Sequence, residues 1–316
     1  MKLLAVAAVV LALSGAVGRA ATSSYPQSPV FSTDGQHIAW YDANTSRVWI
    51  AARDASDAHA IGAAFDGISQ LAWTRYGLIV DSNFRLFRLS TTGSETKIGV
   101  SPDQYFAAGG SRVASGTAGC GSCTSPVVVY EIVSHARYRV GSAKSSNAQP
   151  TLSPDGKHVV YTRGSDRALV EAAVGGHGTR RLPAVGYCAR WSPNGRSLSF
   201  IDQRGNLAML SLAKGKALML RRDTGTCVGN SPPAWSPDST MIAVGSGAGP
   251  LTVVNVRTHA ARQSPKQVGE IAEFSWSPDG ATLVVAARAH ASDKCFSLWR
   301  IDAASLRGSV IVRGCP

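Results

Sequence analysis

The chain has 316 residues, 44% hydrophobic and 16% charged, with a mean hydropathy of +0.01, which excludes a disordered polyelectrolyte. Its 32 glycines and 15 prolines punctuate short apolar runs that lack sustained 3.6-residue periodicity, which excludes a helical bundle and points to an all-β protein. The formal charge of +12 comes from scattered Lys and Arg with no run of five or six, and so does not suggest a nucleic-acid partner.

Residues 1–20 read as a secretory signal peptide. Lys2 is the positive start, Leu3 to Leu13 is an apolar stretch too short to span a bilayer, and Gly18 and Ala20 place small residues at −3 and −1 of a cut after Ala20. No transmembrane segment is expected once it is removed. The mature chain, residues 21–316, is expected to be a single monomeric domain in an extracytoplasmic compartment, secreted or periplasmic. Loss of Lys2 and Arg19 leaves a charge of +10, compatible with an anionic envelope polymer as partner.

Five pentads then recur along the chain: Phe31–Gly35 (FSTDG), Leu152–Gly156 (LSPDG), Trp191–Gly195 (WSPNG), Trp235–Ser239 (WSPDS) and Trp276–Gly280 (WSPDG). Each lies between short apolar stretches and has the chemistry of a tight hairpin. Pro fixes φ near −65°, Asp or Asn bonds nearby backbone N–H groups, and Gly takes a left-handed conformation. The aspartates therefore have a structural role. Two weaker copies, Trp73–Gly77 and Phe106–Gly110, fill the gaps, and the fifth positions then fall at 35, 77, 110, 156, 195, 239 and 280. The mean step of about 41 residues suits a four-stranded blade.

The expected fold is an all-β propeller of four-stranded antiparallel blades. Seven blades are expected, approximately at 28–62, 63–100, 101–143, 144–185, 186–225, 226–268 and 269–316; six with an irregular insertion is the alternative. In the seventh copy the strands are expected at 273–276, 282–287, 295–302 and 308–313. In the fifth they are expected at 188–191, 197–202, 206–212 and 217–222.

These pentads, each followed by a short apolar strand, resemble the WD40-like (PD40) repeats of the TolB-like family of exported propellers, over about residues 28–315. That resemblance implies the propeller fold and an exported protein. TolB itself carries a further N-terminal α/β domain and six blades, so its role is not carried over. Similar repeats form the propeller of prolyl-oligopeptidase-like enzymes, whose chemistry sits on a hydrolase domain with a G-x-S-x-G elbow. The 316 residues contain no such pentad, and on that ground no protease activity is expected.

The six cysteines fit an oxidising compartment. The blade scheme places all six on one face. Cys295 and Cys315 flank the antiparallel pair around the last turn and face each other in register, so they are expected to pair. Cys188 and Cys227 enter neighbouring blades near the channel mouth and are expected to bridge. Cys120 and Cys123 form a local Cys-Gly-Ser-Cys bridge, read as structural because it lies in a Gly/Ser/Thr loop rather than at a helix N-terminus.

The seven histidines form no H-x-x-x-H or H-E-x-x-H pair, and no calcium loop or P-loop occurs. No cofactor, metal site or catalytic residue is expected. A ligand rim is expected where the innermost strands begin, at Gln70, Gln149, Arg190, Asn230 and Glu273. Only Glu273 is an acidic candidate on those strands. The expected function is therefore a non-catalytic scaffold in the envelope or outside the cell, binding a protein or polymer. The alternative is a propeller enzyme, lactonase-, lyase- or dehydrogenase-like, with its site at the channel mouth.

Overall fold

A computed structural model describes residues 24–101, 105–116, 124–176, 178–224, 232–245, 249–265, 268–290 and 292–315. The signal segment, Cys120, Cys123, Cys227 and Asn230 lie outside these described residues. Every named element is a strand.

The first sheet is β1 (Pro26–Phe31), β2 (His37–Asp42), β3 (Arg47–Ala52) and β4 (His59–Ile61); the second is β5 (Ile68–Thr74), β6 (Gly77–Ser82), β7 (Arg85–Leu89) and β8 (Glu95–Val100). The third is β9 (Phe106–Gly109), β10 (Arg112–Ser115), β11 (Val127–Glu131) and β12 (Arg137–Val140). A seven-stranded sheet follows: β13 (Asn147–Leu152), β14 (His158–Arg163), β15 (Ala168–Ala173), β16 (Arg180–Trp191), β17 (Ser197–Asp202), β18 (Leu207–Ser211) and β19 (Lys216–Arg221). The last two sheets are β20 (Ala234–Trp235), β21 (Met241–Val244), β22 (Thr252–Asn255), β23 (Ala261–Gln263), and β24 (Glu270–Trp276), β25 (Thr282–Arg288), β26 (Ser297–Asp302), β27 (Gly308–Val312). All are antiparallel meanders. The arrangement is propeller-like, with four-stranded blades.

The expected seven separate sheets are not what forms. Five four-stranded sheets stand alone, and two expected blades share β16. This strand pairs with β15 up to Val185 and with β17 from Gly186 onward. Pro183 and Gly186 lie within it without ending it, so the strand expected to begin at Cys188 instead runs unbroken from Arg180. Gly186 sits at the handover because a Cβ there would meet the Ile201 carbonyl oxygen at 2.3 Å.

The second strand of a sheet is buried at nearly every central position because both its faces are covered. In β25, Leu283, Val285 and Ala287 face the β20–β23 sheet, while Val284 and Ala286 face β1–β4. In β2, Ile38 and Trp40 join the same ring-closing cluster, and Ala39 and Tyr41 pack on the second sheet. The strand period of two thus deals side chains alternately to two neighbouring cores. Among the described residues, seven such clusters follow one another around the ring. Each fully buried Val, Leu or Ile contributes about 1.5–3 kcal/mol relative to exposure. A parallel bridge between Ser24 and Gly314 brings the two ends of the described chain together.

The pentads form the hairpins expected of them. Asp155 Oδ1 accepts from Ser153 Oγ at 2.6 Å and from Lys157 N at 3.0 Å, while Ser153 Oγ accepts from His158 N at 2.9 Å. The same net recurs at Ser32/Asp34, Ser192/Asn194, Ser236/Asp238 and Ser277/Asp279. The serine hydroxyls hold the Asp34, Asp155 and Asp238 carboxyls below their ordinary range. For Asp279 the leading cause is Arg53, followed by Ser277. Copy three is framed differently from its expectation. Gly109 pairs with Arg112 across the two-residue turn Gly110–Ser111, as Thr74 pairs with Gly77. Ala108, not Phe106, therefore matches the leading position of the other copies.

Candidate functional site

The first strands of the blades, β1, β5, β9, β13, the second half of β16, β20 and β24, touch one another in ring order and line the axis. On β1, β5, β13, β16 and β24 the register slips by a bulge within one residue of the same place. Ser28, Gln149 and Cys188 occupy it with left-handed φ of 50°, 49° and 56°.

Three of the expected rim residues span neighbouring blades there. Gln70 Oε1 accepts from Phe106 N at 3.2 Å, and Gln149 Oε1 from Cys188 N at 2.9 Å. Glu273 Oε2 accepts from Ser28 N. Each of these acceptors satisfies a backbone donor of the next blade, so their first role is to staple the ring. Two indoles staple in the other direction: Trp235 Nε1 donates to Arg190 O at 3.1 Å, and Trp276 Nε1 to Ala234 O at 3.1 Å.

An axial cavity of about 280 Å³ opens among these strands. Gln70, Arg190 and Glu273 line it, together with Trp191, Trp235 and Phe274. Gln149 is not among its lining residues, and Asn230 lies outside the described residues. Burial pushes the Glu273 carboxyl above its ordinary value, opposed by hydrogen bonds from Ser28. The Arg190 guanidinium carbon lies 5.2 Å from the centroid of the Tyr105 ring, and burial likewise raises the Tyr105 phenol. Tyr105 carries no signal in the sequence, and Trp191 and Trp235 stand there only as leading residues of their pentads. With copy three reframed, Tyr105 falls at the axial position of Gln70 and Glu273, three residues before the leading one.

Cys295 and Cys315 form a disulfide with their Cα atoms 5.6 Å apart, as their register requires. Cys188 is disulfide-bonded and fully buried; the expected partner Cys227, and the expected Cys120–Cys123 pair, lie outside the described residues. Among the described residues no three His, Cys, Asp or Glu side chains gather in a metal-binding group.

The propeller-like class is shared with solved structures. A puromycin hydrolase superposes with a TM-score of 0.63 at 18% identity, over 92% of this chain and 54% of that one. A chain of the mitotic checkpoint complex superposes with a TM-score of 0.59 at 15% identity, over 96% and 99% of the two chains. Such likenesses establish the fold alone. No family model matches the chain. In sequence it is 30% identical over 154 residues to an uncharacterized peptidase, YuxL, of Bacillus subtilis (strain 168), covering 44% of this chain and 23% of that protein. The chain thus spans about a quarter of the relative's length.

This relative overturns the expectation of a non-catalytic scaffold and of no enzymatic role. That expectation rested on the lack of His and acidic clusters on the axial strands. Such an inventory tests only for chemistry carried by the channel itself, and does not separate a scaffold from a propeller that handles substrate for an enzyme.

Proposed function

We propose that the chain is the propeller of a peptidase-type enzyme and binds peptide in the axial cavity. The observation that carries this is the 30% identity to a peptidase over 154 residues. The cavity fits the role: Trp191, Trp235 and Phe274 offer apolar walls, and Arg190 and Glu273 offer opposite charges. The ring is read as seven blades, with the seven-stranded sheet counting as two, within the TolB-like, WD40-like repeat family. Export is part of the same reading and is supported by Cys188, Cys295 and Cys315, all disulfide-bonded. The hydrolytic serine is assigned to a hydrolase domain beyond these residues, since they hold no G-x-S-x-G elbow.

The test has two arms. Isothermal titration of the purified chain with short peptides should give saturable binding. Protein recovered from its native source should contain a serine hydrolase that reacts with a fluorophosphonate probe and cleaves peptide anilides. Absence of peptide binding together with absence of a fluorophosphonate-reactive partner overturns the proposal.

A further inference from the structure

Arg190 has no counter-ion among the described residues. Its side chain donates from Nη1 to Ala189 O at 3.1 Å and interacts with the Tyr105 hydroxyl. A guanidinium has five N–H donors, so most of its capacity is unspent. Its position is nonetheless fixed. The bulge on β16 sets its direction, Trp235 Nε1 holds its backbone carbonyl, and the Tyr105 ring packs against the guanidinium.

Tyr105 is 5% exposed; beyond the Arg190 side chain its hydroxyl has no hydrogen-bond partner among the described residues. Trp191 Nε1 is buried without a partner, whereas the equivalent indoles Trp235 and Trp276 each reach a carbonyl of the preceding blade. Among the described residues, Arg190 keeps N–H donors to spare on the cavity wall. Buried donors without acceptors are uncommon in native proteins and mark a place for a missing group.

We propose that Arg190, packed against the Tyr105 ring, receives the free carboxylate of a bound peptide, an inference that rests on the peptide-binding reading above. A carboxylate matches the planar fork of one guanidinium. A phosphate dianion matches less well, because Arg190 is the one guanidinium among the lining residues and meets only one of its two charges. Glu273 Oε2 accepts from Ser28 N, and this carboxylate forms no ion pair with Arg190.

The experiment is isothermal titration of the full chain with N-acetyl-Ala-Ala-Phe as free acid and as C-terminal amide, and with succinate and inorganic phosphate alone. The free acid should bind roughly 10- to 100-fold more tightly than the amide, the range for charge-assisted hydrogen bonds. Arg190→Met should abolish the preference, and Arg190→Lys should keep part of it. Equal affinity for acid and amide in the wild type overturns the carboxylate site and leaves the peptide reading standing. Succinate binding that Arg190→Met removes, without binding of either peptide, supports the site and defeats the peptide reading. Phosphate binding tighter than succinate, or no binding at all, overturns the site.

Discussion

Replacing Gln149 with Leu tests whether the axial amides hold the ring. Leu keeps the approximate volume and tolerates the same backbone, but removes the acceptor. The donor left behind is the Cys188 amide, bonded to Gln149 Oε1 at 2.9 Å in a residue that is fully buried. An orphaned buried N–H costs about 1–3 kcal/mol, and at about 2.1 cal/mol/K of unfolding entropy per residue a chain of this size shifts its melting temperature by roughly 1.6 °C per kcal/mol. Gln149→Leu is therefore expected to melt about 2 °C lower at the small end and about 5 °C lower at the large end. Differential scanning calorimetry under non-reducing conditions reads the shift, with urea unfolding as a second measure. Gln149→Asn is the companion variant. It tolerates the left-handed backbone at φ 49° at least as well, but its side chain is one methylene short of the amide, so it should lose stability too. A Gln149→Leu protein within about 0.5 kcal/mol of the wild type, below the cost of an orphaned donor, would refute the staple.

Glu273→Gln should preserve the bond to Ser28 N, since Gln70 and Gln149 do the same work. Burial raises the Glu273 carboxyl above its ordinary 4.5, so its stabilisation is full below about pH 4.5 and is lost as pH rises through the folded value. The variant should match the wild type near pH 4 and exceed it at pH 8 in urea unfolding; a gain that shrinks with rising pH would contradict this. Asp155→Ala should lose about 1–2 kcal/mol for its two hydrogen bonds. Asp155→Asn should lose much less, because Asn194 already fills the same net with bonds of 2.8 Å to Ser192 and 3.0 Å to Arg196; equal losses would count against the turn chemistry. Removing the Cys295–Cys315 bridge, which closes a loop of sequence separation 20, should cost about 3 kcal/mol on a chain-entropy basis, read as a lower urea midpoint for the double Ala variant.

Features confined to a few adjacent residues were legible in the sequence. The pentads specify their own hairpins because Pro, Asp and Gly act within six residues. The Cys295–Cys315 pairing followed from counting outward from one turn. Features decided between blades were not legible. Whether the strand ending at Val185 turns before the next begins depends on the path between sheets, and no residue announces that β16 runs on from one sheet into the next. The third copy lacks Pro and Asp, so Phe106 drew the frame two residues early and hid Tyr105. Gln70, Gln149 and Glu273 were located on the axis, but an amide looks the same in sequence whether it faces a ligand or the next blade's N–H. The functional expectation failed for a related reason. The absence of a catalytic cluster was read as absence of an enzyme, although a propeller can handle substrate without carrying the chemistry.

The most direct test of the axial site is photo-crosslinking with a peptide that carries a benzophenone side chain, mapped by mass spectrometry after proteolysis. Crosslinks on β5, β16, β20 and β24, at residues such as Gln70, Trp191, Trp235 and Phe274, and their loss on competition with unlabelled peptide, are the expected result. Crosslinks confined to the outer strands β4, β8, β12, β19, β23 or β27, or crosslinks that competitor does not reduce, would contradict an axial peptide site.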